Sequence, residues 1–260
     1  SLPITGTAIV NFDDERGPAM ARESQAPVVA LSKCGPADIY YTELSVDLKG
    51  IHGMVKAGDM LINVSSSLLG EFNAENILCA LSLAVSLGID PDFIQNGITN
   101  CQTISGRMES FQLKNGASVI VDYAHTSDAY TKVLSTIHQM KIPEGKMNIV
   151  FGCGGDRDTT KRSEMGRIAE QFGDRLWITP DNPRFEEINV ISDQILMGLS
   201  DSSHRVFEDR SVGLNAALAA LNKEDILVVL GKGREAYQEI KGKKIPYSDI
   251  KIIETFIHEN

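Results

Sequence analysis

Met147-Asn148-Ile149-Val150-Phe151-Gly152-Cys153-Gly154-Gly155-Asp156-Arg157-Asp158 reads as a buried strand that runs into three glycines and then alternating charges ahead of a helix. A loop of this kind at the carboxyl end of a strand lies where open α/β sheets bind their ligands. An ordinary strand-to-helix turn gives the same short pattern, so its meaning depends on what surrounds it.

Outward from it the chain alternates regularly. Strands are expected at Ser118–Tyr123, Met147–Gly152, Leu176–Thr179, Arg205–Phe207 and Ile226–Leu230, and helices at Ser127–Met140, Thr160–Phe172, Asn189–Leu199 and Val212–Leu221. Strands and helices in that rhythm form βαβ units and a mostly parallel sheet. A hairpin around Lys241-Gly242-Lys243 and a last helix close the unit. The texture changes at Ser105-Gly106-Arg107-Met108-Glu109, which sets a domain boundary there: 1–104 and 105–260.

The earlier part is less regular. A strand is expected at Thr7–Asn11 and a helix opened by Pro18; Ala26–Leu31 is another apolar run, and antiparallel hairpins are expected between Ile39 and Val64. Asn73 reads as the N-cap of a helix with Leu78, Leu81, Leu83 and Val85 near its apolar face. Gly88 ends that helix, and Pro91 opens another. The fold class is α/β: a mixed sheet with helices, then a Rossmann-like unit with a mostly parallel sheet.

In the second unit four loops share one sheet edge, because parallel strands point their carboxyl ends the same way. They carry Asp122 and His125; Asp156, Arg157 and Asp158; Asp181-Asn182-Pro183-Arg184; and Gly231-Lys232-Gly233-Arg234-Glu235. Arg157 and Arg184 with carboxylates between them suit a ligand bearing both carboxylate and ammonium, since a guanidinium binds a carboxylate through two parallel hydrogen bonds. Surface salt bridges would give the same residues with little energetic consequence. Lys161-Arg162 in a first helical turn opposes the helix dipole, which suggests either a nearby anion or a solvated face.

Composition narrows the function. The 260 residues carry a net charge of −10, which argues against general nucleic-acid binding. Of the charged residues, 5 basic and 12 acidic precede Ser105, so the acidity concentrates in the first part. The four cysteines show no C-x-x-C pair and read as free thiols of a reducing cytoplasm. The most apolar segment, Ile77–Ile89, is too short to span a bilayer, so no membrane insertion is expected. Neither Gly-x-x-x-x-Gly-Lys-Ser/Thr nor the dinucleotide fingerprint occurs.

Taken in order, Gly106-Arg107-Met108-Glu109, Val121-Asp122-Tyr123-Ala124-His125-Thr126, Phe151–Asp158 with Lys161-Arg162, Asp181-Asn182-Pro183-Arg184, and Gly231-Lys232-Gly233 with Glu235 and Tyr237-Gln238 resemble the Mur ligases, in the branch that makes UDP-N-acetylmuramoyl tripeptides. Phe72-Asn73-x-x-Asn76 and Asn11-Phe12-Asp13-Asp14 extend the likeness over nearly the whole chain. The resemblance implies the later part of a central ATP-binding domain followed by a complete carboxyl-terminal domain. The phosphate loop and Mg2+ ligands would lie upstream, leaving this chain inactive alone. It also implies ATP-dependent amide formation: the D-glutamate carboxylate of a UDP-N-acetylmuramoyl dipeptide is phosphorylated, and the amine of an added diamino acid attacks the acyl phosphate.

By the same resemblance, Asn76 would bond adenine, Arg107 lie against the nucleotide, Asp122 accept from the ribose hydroxyls and His125 sit near the phosphates. Arg157, Asp181, Asn182, Pro183, Arg184, Gly231 and Glu235 match the positions holding the incoming amino acid. No residue of this chain is assigned as catalytic or as a metal ligand. The Asp-Asn-Pro-Arg form implies meso-diaminopimelate rather than lysine, since an arginine left unpaired by lysine would discriminate against it. Arg234 stands where a histidine is usual, beside Glu235. A cytoplasmic monomer is expected. Two other readings stay open: a binding module without chemistry, and a related ligase with a lysine, folylpolyglutamate or cyanophycin-type acceptor.

Overall fold

The computed structural model describes residues 2–101, 108–200 and 203–260. Contacts divide the chain into one compact unit up to residue 103 and another from 104.

The first unit is a five-stranded sheet in the order β1 (Ala8–Asn11), β2 (Val28–Ser32), β3 (Ile39–Asp47), β4 (Gly50–Ala57), β5 (Met60–Ser66). β1, β2 and β3 pair in parallel, and β3, β4 and β5 form an antiparallel meander. The hairpins expected between Ile39 and Val64 are thus one edge of a mixed sheet. The short helix α1 (Gly17–Glu23) carries Pro18 in its first turn. Helices α2 (Glu71–Ser86) and α3 (Pro91–Asn100) cover the sheet, with Ile51, Val55, Ile62, Leu78, Leu81 and Ile94 in the core. Tyr41 Oη donates to the Ala74 carbonyl at 3.1 Å and ties β3 to α2.

Helix α2 starts two residues before the expected cap. Gly70 is its N-cap at φ 89°, a conformation that glycine tolerates, and Asn73 lies inside the first turn. Asn73 is buried and donates through Nδ2 to the Leu69 carbonyl at 2.8 Å. Ala74, Ile77/Leu78 and Leu81 keep the helical period, which leaves Leu83 half-exposed outside the stripe. Gly88, at φ 72°, follows the helix as expected.

The second unit holds a six-stranded sheet in the order β10 (His204–Val206), β9 (Arg175–Ile178), β8 (Met147–Phe151), β11 (Ile226–Leu230), β7 (Ser118–Asp122), β6 (Glu109–Gln112). All pairs are parallel except β6 with β7. The antiparallel edge strand β6 has no counterpart in the sequence reading: four residues, Glu-Ser-Phe-Gln, give too short an alternation to register. Helices α4 (Ser127–Met140), α5 (Thr160–Phe172) and α6 (Ile188–Leu196) pack side by side, while α7 (Arg210–Ala219) packs with α8 (Asp249–Glu259). Alternate strand residues supply the α7/α8 core: Val119, Val121, Val150, Trp177, Leu227 and Val229 meet Leu214, Leu218 and Ile253. Phe151 faces the other helix layer, its ring 6.0 Å from that of Tyr130 on α4.

A buried ion pair fastens α8 to this sheet. Arg210 Nε and Nη2 donate to Asp249 at 2.9 and 2.8 Å, while Nη1 reaches Thr179 Oγ1 and Nη2 the Leu230 carbonyl, both at 3.0 Å. Tyr247 Oη donates to the same Asp249 carboxylate at 2.6 Å. Burial alone would disfavour the arginine's charge, and Asp249 beside it more than restores it. R210M would leave Asp249 charged and unpaired inside the protein, so a destabilisation of about 3–5 kcal/mol is expected by urea unfolding. A loss below about 1 kcal/mol would mean that the pair does not hold α8.

Candidate functional site

β11 lies between β7 and β8, although the chain visits β7 and β8 consecutively. The crossover through α7 therefore returns to a slot left open earlier, and the loops leaving β8 and β11 part at that point. Such a switch point opens a crevice at the carboxyl ends of the strands. A cleft of about 330 Å³ occupies it, lined by Tyr123 and His125 after β7, Gly152–Gly154 and Arg157 after β8, Asp181, Asn182 and Arg184 after β9, and Gly231 and Glu235 after β11. The four loops singled out from the sequence meet here.

The glycines bring protein loops together rather than leaving room for ligand. A Cβ on Gly152 would overlap the Thr179 carbonyl, and one on Gly155 the Pro183 carbonyl. The Gly155 N–H also donates to the Asn182 carbonyl at 2.8 Å. The loop after β9 is thereby laid against the loop after β8, with Pro183 buried between them.

Arg184 sits at φ 51°, a strained setting for a residue with a side chain, costing of order 1 kcal/mol. The hairpin of β12 (Tyr237–Ile240) and β13 (Lys243–Pro246) imposes it: the Arg184 N–H donates to Glu239 O at 2.9 Å, and the Lys241 N–H to Arg184 O at 2.7 Å. The guanidinium donates to Glu239 Oε2 at 3.1 Å and to the Gly155 carbonyl at 2.6 Å. Gln238 Nε2 adds bonds to the carbonyls of Pro180 and Asp181 at 3.1 and 2.9 Å. The hairpin thus splints the Asp181–Arg184 loop.

Glu235 accepts from Asn182 Nδ2 at 3.0 Å and from Lys232 Nζ at 2.9 Å. Burial pushes its carboxyl up, but these hydrogen bonds outweigh burial and hold it below its ordinary value, so it stays ionised. Arg162 is buried, which removes the solvated-face reading: it grips Glu186 through both terminal nitrogens at 2.8 and 2.9 Å and also reaches the Gly154 carbonyl. Its hydrogen bonds hold the Glu186 carboxyl down at about 2. The anion suggested by Lys161-Arg162 is therefore a side chain for Arg162, and Asp158 for Lys161. Among the described residues Arg157 makes no ion pair; it is exposed on the cleft wall. Cys153 lines the cleft with a thiol that burial pushes up to about 12, an inert group at neutral pH.

The residues assigned to the nucleotide are divided between the two units. Asn76 lies exposed on α2 in the first unit, its Nδ2 donating to Asn73 Oδ1 at 3.2 Å. Arg107 lies outside the described residues. Asp122 is buried and accepts the N–H of Ala124 at 2.7 Å and of Met108 at 2.9 Å, while exposed His125 bonds through Nδ1 with the Tyr123 carbonyl at 3.0 Å. Among the described residues no group of three or more His, Cys, Asp or Glu is set to hold a metal ion, and no helix is long and apolar enough to cross a membrane. Arg234 turns from Glu235 and forms a two-pronged pair with Glu109 on β6, at 2.8 and 2.6 Å. The sequence reading gave no role to Lys232, Glu186, Gln238 or Glu239, although Lys232 and Gln238 fell within motifs that it quoted.

Comparison with known proteins agrees with this architecture. Residues 1–84 match the Mur ligase middle domain and residues 106–233 the Mur ligase glutamate ligase domain. The chain is 33% identical over 256 residues to a UDP-N-acetylmuramoyl-L-alanyl-D-glutamate--2,6-diaminopimelate ligase of Rickettsia typhi, covering 97% of this chain and 51% of that protein. A protein of the same name from Chlorobaculum tepidum is 36% identical over 262 residues, with 97% and 52% covered. The chain spans about half the length of the curated relatives it matches. A solved structure named as a 2,6-diaminopimelate ligase superposes at TM-score 0.75 with 30% identity, over 97% of this chain and 53% of that one. Folylpolyglutamate synthase from Thermotoga maritima shares the fold alone, at TM-score 0.63 and 18% identity, over 82% of this chain and 47% of that one. With both domain models matched in order and the strand-end loops arranged as described, the chain belongs to the Mur ligase family.

Proposed function

We propose that this chain supplies the acceptor-amino-acid site of an ATP-dependent amide ligase that adds meso-diaminopimelate to UDP-N-acetylmuramoyl-L-alanyl-D-glutamate. On this reading residues 1–104 are the later part of the central domain and 105–260 the carboxyl-terminal domain, working in the cytoplasm as a monomer. The observation that carries it is that ionised Glu235 and two guanidiniums, Arg157 and Arg184, line one cleft. That charge pattern fits an amino acid end, with ammonium on the carboxylate and carboxylate on the guanidiniums.

The reaction divides accordingly. The D-glutamate carboxylate takes the γ-phosphoryl group of ATP, releasing ADP; the amine then attacks the acyl carbon, phosphate departs, and the amine loses a proton. Mg2+, when bound, would supply charge neutralisation at the phosphates. This chain's residues contribute position: Glu235, Asn182, Arg184 and Arg157 hold the distal end of the amino acid so that its reacting amine is presented in one orientation. Asn76, Arg107, Asp122 and His125 remain proposed nucleotide contacts, and Asp181, Pro183 and Gly231 shape the amino-acid pocket. The phosphate-cradling pattern is absent from these 260 residues, so this chain alone is expected to be inactive.

A ligand-binding module without chemistry would leave the cleft equally occupied. Initial rates of the complete gene product with meso-diaminopimelate and L-lysine separate the readings. Strong preference for diaminopimelate, at least about a thousandfold in kcat/KM, is expected because lysine leaves guanidiniums unpaired. R184A should raise the KM for diaminopimelate by about 10–100-fold, the size of a lost charge-assisted hydrogen bond, and narrow that preference. Equal use of lysine would overturn the diaminopimelate assignment; absence of any ligase activity would favour the module.

A further inference from the structure

Lys232 lies under the cleft without lining it. Its side chain is fully buried, and Nζ is 2.9 Å from Glu235 Oε2, 3.0 Å from Asn182 Oδ1 and 3.4 Å from Asp181 Oδ1. An ammonium has three N–H donors, so these three oxygens use all of them and none remains for a ligand phosphate or carboxylate. The flanking glycines turn the lysine inward: Gly231 sits at φ 105° and Gly233 at φ 51°, and a Cβ on Gly231 would press on Asp181 Oδ2 at 2.8 Å.

The consequence reaches the two groups above it. Asn182 Oδ1 accepts both from Lys232 and from the Glu239 N–H at 2.9 Å. Two donors on one side of the amide fix its oxygen there and force its NH2 group toward Glu235. Glu235 Oε2 is in turn taken by Lys232 and Asn182. What remains among the described residues is Glu235 Oε1 as an acceptor and one N–H of Asn182 as a donor. Side by side, these match an ammonium and a carboxylate on one carbon.

We propose that Lys232 is the positioning residue of the amino-acid site: it orders Asn182 and Glu235 into a donor–acceptor pair for a zwitterionic substrate end and touches no substrate atom itself. The inference rests on the amino-acid reading of the cleft. The charged and titratable groups facing Glu235 are Lys232 from its own loop, Asp181 and Arg184 after β9, Arg157 after β8, Tyr123 after β7 and Tyr237 on β12. Removing the lysine leaves two carboxylates, Asp181 and Glu235, where one cation had served both, and such a pair retains a proton to higher pH.

The test uses K232M and K232Q in the complete gene product, with KM for meso-diaminopimelate, ATP and the UDP dipeptide measured from pH 6.5 to 8.5. For K232M the diaminopimelate KM is expected to rise at least about tenfold, the size of one lost hydrogen bond to a charged group. It should rise further as pH falls, because protonated Glu235 no longer attracts ammonium, while the other two KM values stay within about twofold. K232Q, which keeps two N–H donors, should lie between K232M and wild type. An unchanged diaminopimelate KM with the wild-type pH profile overturns the inference and leaves the amino-acid reading standing. A parallel rise in all three KM values, or failure of both variants to fold, makes the lysine a folding residue and also overturns it. A wild-type enzyme that diaminopimelate does not saturate overturns the reading beneath it.

Discussion

β11 occupies the slot between β7 and β8, and the site depends on that placement. Were β11 added at an outer edge, the loop carrying Lys232 and Glu235 would lie at least two strand spacings, about 10 Å, farther from the loop after β8. In the observed order, β11 pairs with β7 and β8 residue for residue over Ile226–Val229. Its last residue therefore delivers Gly231 level with Gly152 and beside Asp181. β11 is a continuous apolar run, and its neighbours carry the apolar runs Val119–Val121 and Ile149–Phe151, as a sheet covered by helices on both faces favours.

Bringing charged loops together over such a core imposes a second condition, that buried charges be paired. Arg162 meets Glu186, Arg184 meets Glu239, Lys232 meets Glu235 and Asp181, and Arg210 meets Asp249. Each pair joins segments separated in sequence, except the local Lys232–Glu235 contact, so each also fixes the relative position of two loops or elements. These pairs cross-link the cleft walls without any ligand, and a site held by its own contacts loses less freedom on binding. Arg157, exposed and outside these pairs, is the wall group best able to move onto a ligand.

The sequence made the alternating architecture legible because apolar runs and helical periods are local signals; Ser127–Met140, Thr160–Phe172 and Ile226–Leu230 match the observed elements end for end. The loop constellation was legible for a related reason, since parallel topology alone sends those loops to one edge. What was not legible is who pairs with whom. Arg162 and Glu186 lie 24 residues apart and Arg210 and Asp249 39 apart, and no local pattern links them. Lys232 carried a faint mark in its two glycines, but only the packed structure shows that the ammonium turns inward. Asn73 misled because asparagine favours caps, whereas Gly70 supplies the required backbone and frees Asn73 to orient Asn76.

On the proposed reading this cleft seats one zwitterionic end of an amino acid. A crystal structure of the protein with meso-diaminopimelate tests it most directly. An ammonium is expected within about 3.2 Å of Glu235 Oε1, with the neighbouring carboxylate on Asn182 and a guanidinium of Arg184 or Arg157. Diaminopimelate bound away from these residues, or a nucleotide phosphate seated among them, would contradict it.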